Sequence, residues 1–220
     1  MREAREVFRC AGSLWFAFLL STVAVPSASA QAGSTCDLVP LAVRPDPGPE
    51  FVVGCTEYVL KYGGGAGTQG SYGSLDLPDC AGDPCGDGGA TRYRCELVNG
   101  YACCVDSGQC IPAALGDLAG PTAQSIASRF SLDTDSREGI CFAQYNGNGR
   151  RIITVLMTGP PQAGGASPCY VVLRYGEFFL TRIPGAGNES LIFANFLGCT
   201  SATPTPAHVP AWGEIKVLYR

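Results

Sequence analysis

The chain carries a single histidine, His208, so any Ser-His-Asp or Cys-His catalytic pair would have to use it. It stands among prolines in the stretch 203–210, with no Gly-x-Ser-x-Gly elbow to accompany it, and reads as a surface-loop residue. Glu57, Glu96, Glu138, Glu177 and Glu189 are carboxylates of the kind a glycosidase pairs, but nothing in their spacing sets two of them across a cleft. Asp79, Asp83 and Asp87 recur every fourth residue around Gly82, Gly86 and Gly88, a loop rich in the oxygen ligands that calcium takes. The spacing is not that of an EF-hand, and Cys80 and Cys85 are interleaved, so a solvated, disulfide-tied acidic loop is expected. A zinc knuckle would need paired C-x-x-C spacing or a nearby histidine, and the segment has neither. Glu177 lies in an otherwise apolar run beside Gly176, where a charge calls for a partner such as Arg174 or Arg182. Residues 63–70 are glycine-rich but lack the Gly-Lys-Ser/Thr of a phosphate cradle. Asn188-Glu189-Ser190 has the form of a glycosylation sequon. No catalytic, cofactor-binding or metal-binding residue is assigned on these grounds.

The elements that would position such groups belong to an exported chain. Arg2, Arg5 and Arg9 precede an apolar run from Ala11 to about Val25, and Ala28-Ser29-Ala30 closes it. That is the three-part form of a secretory signal peptide over residues 1–30, with cleavage expected after Ala30. The apolar run is shorter than the roughly 20 residues a membrane-spanning helix needs. The remaining residues, 31–220, have the length of a single extracytoplasmic domain. Three Arg and two Glu leave with the signal, which takes the net charge from −4 to −5. The longest basic cluster is Arg150-Arg151, so nucleic acid is not an expected partner. Membrane association is expected only if the N-terminal segment is retained.

Twelve cysteines stand at positions 10, 36, 55, 80, 85, 95, 103, 104, 110, 141, 169 and 199, and outside the cytoplasm they are expected to be oxidised. Processing leaves an odd number, which predicts at least one unpaired thiol. Six fall in a cysteine-rich insertion over residues 79–110, which has little apolar periodicity and must be ordered by crosslinks. The adjacent Cys103 and Cys104 are expected to pair with different partners. A bridge between Cys36 and Cys55 would close a small lobe around the prolines at 40, 45, 47 and 49.

The hydrophobic patterning predicts a mainly β (β-rich α+β) fold, an antiparallel sheet or sandwich with one short helix. An extended piece is expected over 38–43, strands over 51–62 and 71–77, and a brief strand-like piece over 93–98. The helix is expected over 121–130, where Ala123, Ile126, Ala127 and Phe130 form one apolar face behind Pro121. Asn146-Gly147-Asn148-Gly149 is a tight-turn sequence. It launches a strand over 151–158 that is apolar on both faces and therefore central. Further strands are expected over 169–183 and 190–199, joined as a hairpin, with a one-sided edge strand over 214–220.

Several phrases occur in order: Glu57-Tyr58-Val59-Leu60-Lys61-Tyr62-Gly63, Gly70-Ser71-Tyr72-Gly73-Ser74-Leu75-Asp76-Leu77, Gly120-Pro121-Thr122, Arg151-Ile152-Ile153-Thr154-Val155, and Tyr175-Gly176-Glu177-Phe178-Phe179-Leu180. Together they resemble the extracytoplasmic domain of the Tad (tight adherence) Flp-pilus assembly proteins of the TadE/TadG-related group, over about residues 57–197. Such proteins keep an N-terminal hydrophobic anchor, which here looks cleavable, and the cysteine-rich insertion stands where that group is rich in Gly and Asn. The resemblance implies a non-enzymatic exported envelope or surface protein, an accessory of pilus assembly or adhesion whose partners are other envelope or pilus-assembly proteins. It brings no enzymatic residues and no cofactor. Two other readings stand beside it. One is a secreted glycan- or small-molecule-binding module stacking sugars on Tyr93, Tyr101 and Tyr145. The other is a secreted hydrolase or thiol-redox enzyme built on Cys103-Cys104.

Overall fold

A computed structural model of the protein describes residues 36–45, 50–63, 69–86, 88–163, 167–185 and 190–200. The signal peptide expected over 1–30, His208, Asp87, Asn188, Glu189 and the strand expected over 214–220 lie outside the described residues. The elements run β1 (Leu38–Pro45), β2 (Glu57–Tyr62), β3 (Gly70–Ser74), α1 (Gly89–Asn99), β4 (Cys110–Pro112), α2 (Ala119–Leu132), a 3₁₀ turn at Phe142–Gln144, β5 (Ile152–Thr158), β6 (Cys169–Leu180) and β7 (Leu191–Thr200).

The fold is mainly β, as the patterning predicts. Seven strands form one sheet in the order β4-β6-β5-β1-β3-β2-β7, and β6 also pairs with β7. That extra pairing closes six strands into a ring and leaves β4 as a short addition beside the start of β6, so the long strands have no free edge to guard. The sheet is mixed rather than all antiparallel: β1–β5 and β2–β3 run parallel. The long crossover between β1 and β5 supplies both helices, whereas only residues 63–69 join the parallel neighbours β2 and β3.

Alternation along the strands sorts their residues onto two faces. Val39, Leu41, Ile153, Val155, Phe178 and Phe196 belong to the main buried cluster, joined by Tyr93 and Leu97 of α1 and by Ile126 and Phe130 of α2. The opposite face of β1, β5 and β6 packs Ala42, Leu156 and Tyr175 against Leu77, Tyr101 and Val105 in a second cluster. Phe178 is held edge-on by Phe51 at 5.2 Å and tilted on Phe196 at 5.1 Å. A fully buried aromatic of this kind contributes about 2–3 kcal/mol.

β1 is buried through its first six residues and lies in the middle of the sheet despite its prolines. Pro40 has no N–H to give, and the β1–β5 register shifts between Leu38 and Ala42, around it. Its carbonyl still accepts from Leu75 N at 3.0 Å. β5 is central as expected, between β1 and β6. The strand expected over 51–62 is shorter, because the chain bends at Gly54 (φ 137°) and Val52 N donates back to Tyr58 Oη at 2.7 Å.

The helix predicted over 121–130 is present as α2, with Pro121 in its first turn, where a missing N–H costs nothing. The strand-like piece expected over 93–98 is instead the helix α1. Tyr93 and Leu97 sit four apart and are both buried, and Arg92 and Glu96 pair at the same spacing, a helical signal that the surrounding glycines and cysteines obscured.

The tight turn before β5 is held by a buried guanidinium. Arg151 has no exposed surface and lies 4.6 Å from the ring centroids of Phe130 and Phe179 and 4.9 Å from that of Tyr145. Its Nη1 donates to Arg137 O at 2.7 Å. Burial lowers its affinity for the proton, while the charges of Asp133 and Asp135 raise it. Tyr145 Oη donates to Asp133 Oδ2 and accepts from Gly149 N. Gly147 is required there, because a Cβ would sit 2.0 Å from Asp133 Oδ1.

Candidate functional site

The crosslinks come first, because they set where the polar residues of the 79–110 segment can go. The disulfides are Cys36–Cys104, Cys55–Cys141, Cys80–Cys103, Cys85–Cys95 and Cys110–Cys169. Cys199 is bonded as well, and no described cysteine is free. The unpaired thiol predicted from the odd count is therefore not found among the described residues. The bridge expected between Cys36 and Cys55 does not form. β1 carries Cys36 to the turn after α1, whereas Cys55 lies beside the 3₁₀ turn, so each closes a long loop with a different partner. Cys103 and Cys104 do take different partners, and their bonds tie the start of the segment and the start of β1 to one turn.

Within this frame Asp79, Asp83 and Glu96 converge on one guanidinium. Arg92 Nε donates to Glu96 Oε1 at 2.7 Å, Nη1 to Asp79 Oδ1 at 2.6 Å, and Nη2 to Asp83 Oδ2 at 3.3 Å and to Pro78 O at 3.0 Å. Arg92 and Glu96 reach each other because they are one helical turn apart on α1, and the Cys85–Cys95 bond folds Asp83 back over that helix. The side chains of Arg92, Asp83 and Glu96 are all buried, while that of Asp79 is exposed. Two of the three aspartates the sequence offers for calcium, Asp79 and Asp83, thus serve a protein cation. Among the described residues no group of three or more His, Cys, Asp or Glu side chains is arranged to hold a metal ion.

The carboxyl of Glu96 is pushed up to about 7. Burial is the main cause, the Arg92 guanidinium opposes it, and a hydrogen bond and the charge of Asp83 raise it further. Beside Glu96 lies a cleft of about 190 Å³. Leu75, Tyr93 and Leu118 form its apolar walls, Arg92 and Glu96 its polar end, and Asp76 and Leu115 its exposed mouth. Tyr93 Oη shares a 2.6 Å hydrogen bond with Thr122 Oγ1 and is pushed up to about 12, chiefly by burial, so this phenol stays neutral.

The other residues singled out by type are dispersed. Glu57 is held by Thr181 Oγ1 at 2.6 Å and by Arg182, across the junction of β2 with the end of β6. Glu138 accepts from Ile183 N at 2.9 Å. Glu177 is half-buried, with its carboxyl raised by burial, and Arg182, one of its expected partners, is engaged by Glu57 instead. Tyr93, Tyr101 and Tyr145 are 3 %, 1 % and 3 % exposed, so the sugar-stacking platform expected of them does not exist. The sequence misjudged them because glycine-rich surroundings read as open loop, whereas α1 and the crosslinked segment carry Tyr93 and Tyr101 inward, and Tyr145 packs on Phe179 of β6. The residue that organises the site, Arg92, was not singled out by type; its spacing to Glu96 was the available signal.

Comparison of the chain with protein-family models, with curated proteins and with solved structures finds no match.

Proposed function

We propose that the protein is a non-enzymatic exported envelope or surface protein, an accessory of pilus assembly or adhesion, in which the closed barrel is the scaffold and the crosslinked 79–110 segment is the contact surface. The observation that carries this reading is the bonding of every described cysteine, five pairs of them mutual. Such density persists in oxidising compartments and is rare in the cytosol. No described helix is long and apolar enough to cross a membrane. The phrases shared with the TadE/TadG-related group support the pilus-linked part of the reading, and they fall on β2, β3, the start of α2, β5 and β6. The cleft beside Glu96 is smaller than the roughly 300–1,000 Å³ of small-molecule sites. That size favours a contact made with another macromolecule over binding of a free metabolite.

The test is fractionation of the tagged full-length chain in its native host, followed by mass spectrometry without reduction. The expected result is recovery with envelope or sheared surface appendages, beginning at Gln31 and with the five mutual disulfides intact. Recovery only as a free soluble monomer, or as a reduced chain still beginning at Met1, would overturn the reading.

A further inference from the structure

The cleft between α1 and the loops that follow β3 and β4 has a chemistry of its own. Its walls are apolar, formed by Leu75, Tyr93 and Leu118, and its polar end carries Glu96 and Arg92. Leu115 stands at the mouth, 85 % exposed, with the exposed carboxylate of Asp76 also on the rim. Asp76, Arg92 and Glu96 are the charged residues that line this space, and Arg92 already spends its donors on Glu96, on Pro78 O and on Asp79 and Asp83, two further carboxylates that do not line the cleft. The surplus charge is negative, and the volume admits one extended side chain rather than a larger ligand.

We propose that this cleft receives a single basic side chain, a lysine-like ammonium on an alkyl stem, presented by a partner protein. The methylenes lie along Leu75, Tyr93 and Leu118 and the ammonium reaches the Glu96 carboxylate, while Asp76 on the rim adds the negative field that draws the cation in; long cationic side chains bury a stem and keep the head polar in this way. Leu115 covers the stem at the mouth. A negatively charged visitor would meet the carboxylate surplus and be rejected. The assignment does not rest on the pilus-linked reading, since it concerns only the charge and shape of the cleft.

Glu96 adds a pH signature. Its carboxyl lies near 7 and is faced by Arg92 from α1 and by Asp83 from the preceding loop, with Asp79 on the same guanidinium and Asp76 at the mouth. A cation favours the ionised form, so binding strengthens as pH rises through 7 and releases a proton.

The experiment is a two-dimensional amide NMR titration of the oxidised protein with N-acetyl-lysine N-methylamide. The norleucine and glutamate analogues serve as uncharged and anionic controls. The expected result is saturable shifts at Asp76, Ala90 and Leu115 with the lysine probe alone. Asp76→Asn, on the exposed rim, should weaken binding about fivefold, the upper end for one solvent-exposed charge pair. Glu96→Gln should remove the strengthening between pH 6 and 8. The assignment is overturned by the absence of saturable shifts, by equal response to norleucine, by tighter binding of the glutamate probe, or by shifts confined to another face. An Asp76→Asn variant that binds the lysine probe as tightly as the parent would also overturn it, and because that site is exposed, misfolding could not explain the result.

Discussion

The barrel and the 79–110 segment achieve order by different physics, though the second is threaded through the first. The barrel strands hold one another by backbone ladders that close on themselves and by a shared apolar interior. The segment has one helix and little sheet, and it is fixed by four disulfides and the Arg92 cluster. Non-directional burial tolerates approximate patterning, so the barrel is robust to which apolar residue stands where. The segment depends on particular atoms at particular distances, and it is there that buried carboxyls and a cleft occur together. Rigid support with few ladder bonds leaves polar side chains free to face an opening, which a closed sheet does not.

The comparison can be broken most forcefully through the core. Phe178→Ala empties a site packed by Phe51 and Phe196 and should cost about 3–5 kcal/mol in urea unfolding. Because Tyr93 and Leu97 of α1 join the same cluster, signals from the segment should be lost at the same urea concentration as those of the barrel. A segment that stays ordered after the barrel has melted would show the two regions to be independent.

Next in size are the crosslinks. Replacing Cys36 and Cys104 by Ala should cost about 2 kcal/mol more than replacing Cys85 and Cys95, because the first bond spans 68 residues and the second 10. Hydrogen exchange should then rise in the turn after α1 while β5 and β6 keep their protection. Equal losses for the two pairs would mean that local packing, not chain closure, decides how the segment is held.

The smallest effect sharpens the role of Glu96. Its folded carboxyl is raised to about 7, so its contribution to stability is complete below the unfolded value near 4 and is lost as pH rises through 7. Between pH 5 and 8 the parent should lose on the order of 2 kcal/mol relative to Glu96→Gln, read from denaturant midpoints. Asp135 acts in the other direction: Arg137 holds its carboxyl well below the usual range, so its contribution is lost only in acid. Parallel pH profiles for parent and variant would place the Glu96 proton elsewhere.

Much of the barrel was legible in the chain. β5, β6 and β7 appear as apolar runs between glycine- and proline-bearing turns, and α2 as an apolar face behind Pro121. The parallel pairings were not legible, since a two-residue period says which face is buried and nothing about which strand lies alongside. α1 was hidden because helical spacing supplied only Tyr93 and Leu97 against a background of glycine and cysteine. The Glu96 cleft was hidden for a related reason. Glu96 and Asp83 each looked like a member of a separate motif, and only the Cys85–Cys95 fold-back puts them on one guanidinium.

By itself the sequence determined what depends on local period and composition: a mainly β chain, one amphipathic helix, a central strand at 152–158, and a cysteine content that calls for crosslinking. Tertiary structure alone decided the closure of β6 on β7, the partner of each cysteine, the inward turn of Tyr93, Tyr101 and Tyr145, and the meeting of Asp79, Asp83, Arg92 and Glu96. The first group follows from interactions between residues a few positions apart, which a linear pattern records. The second consists of contacts between residues that only the closed chain brings within bonding distance.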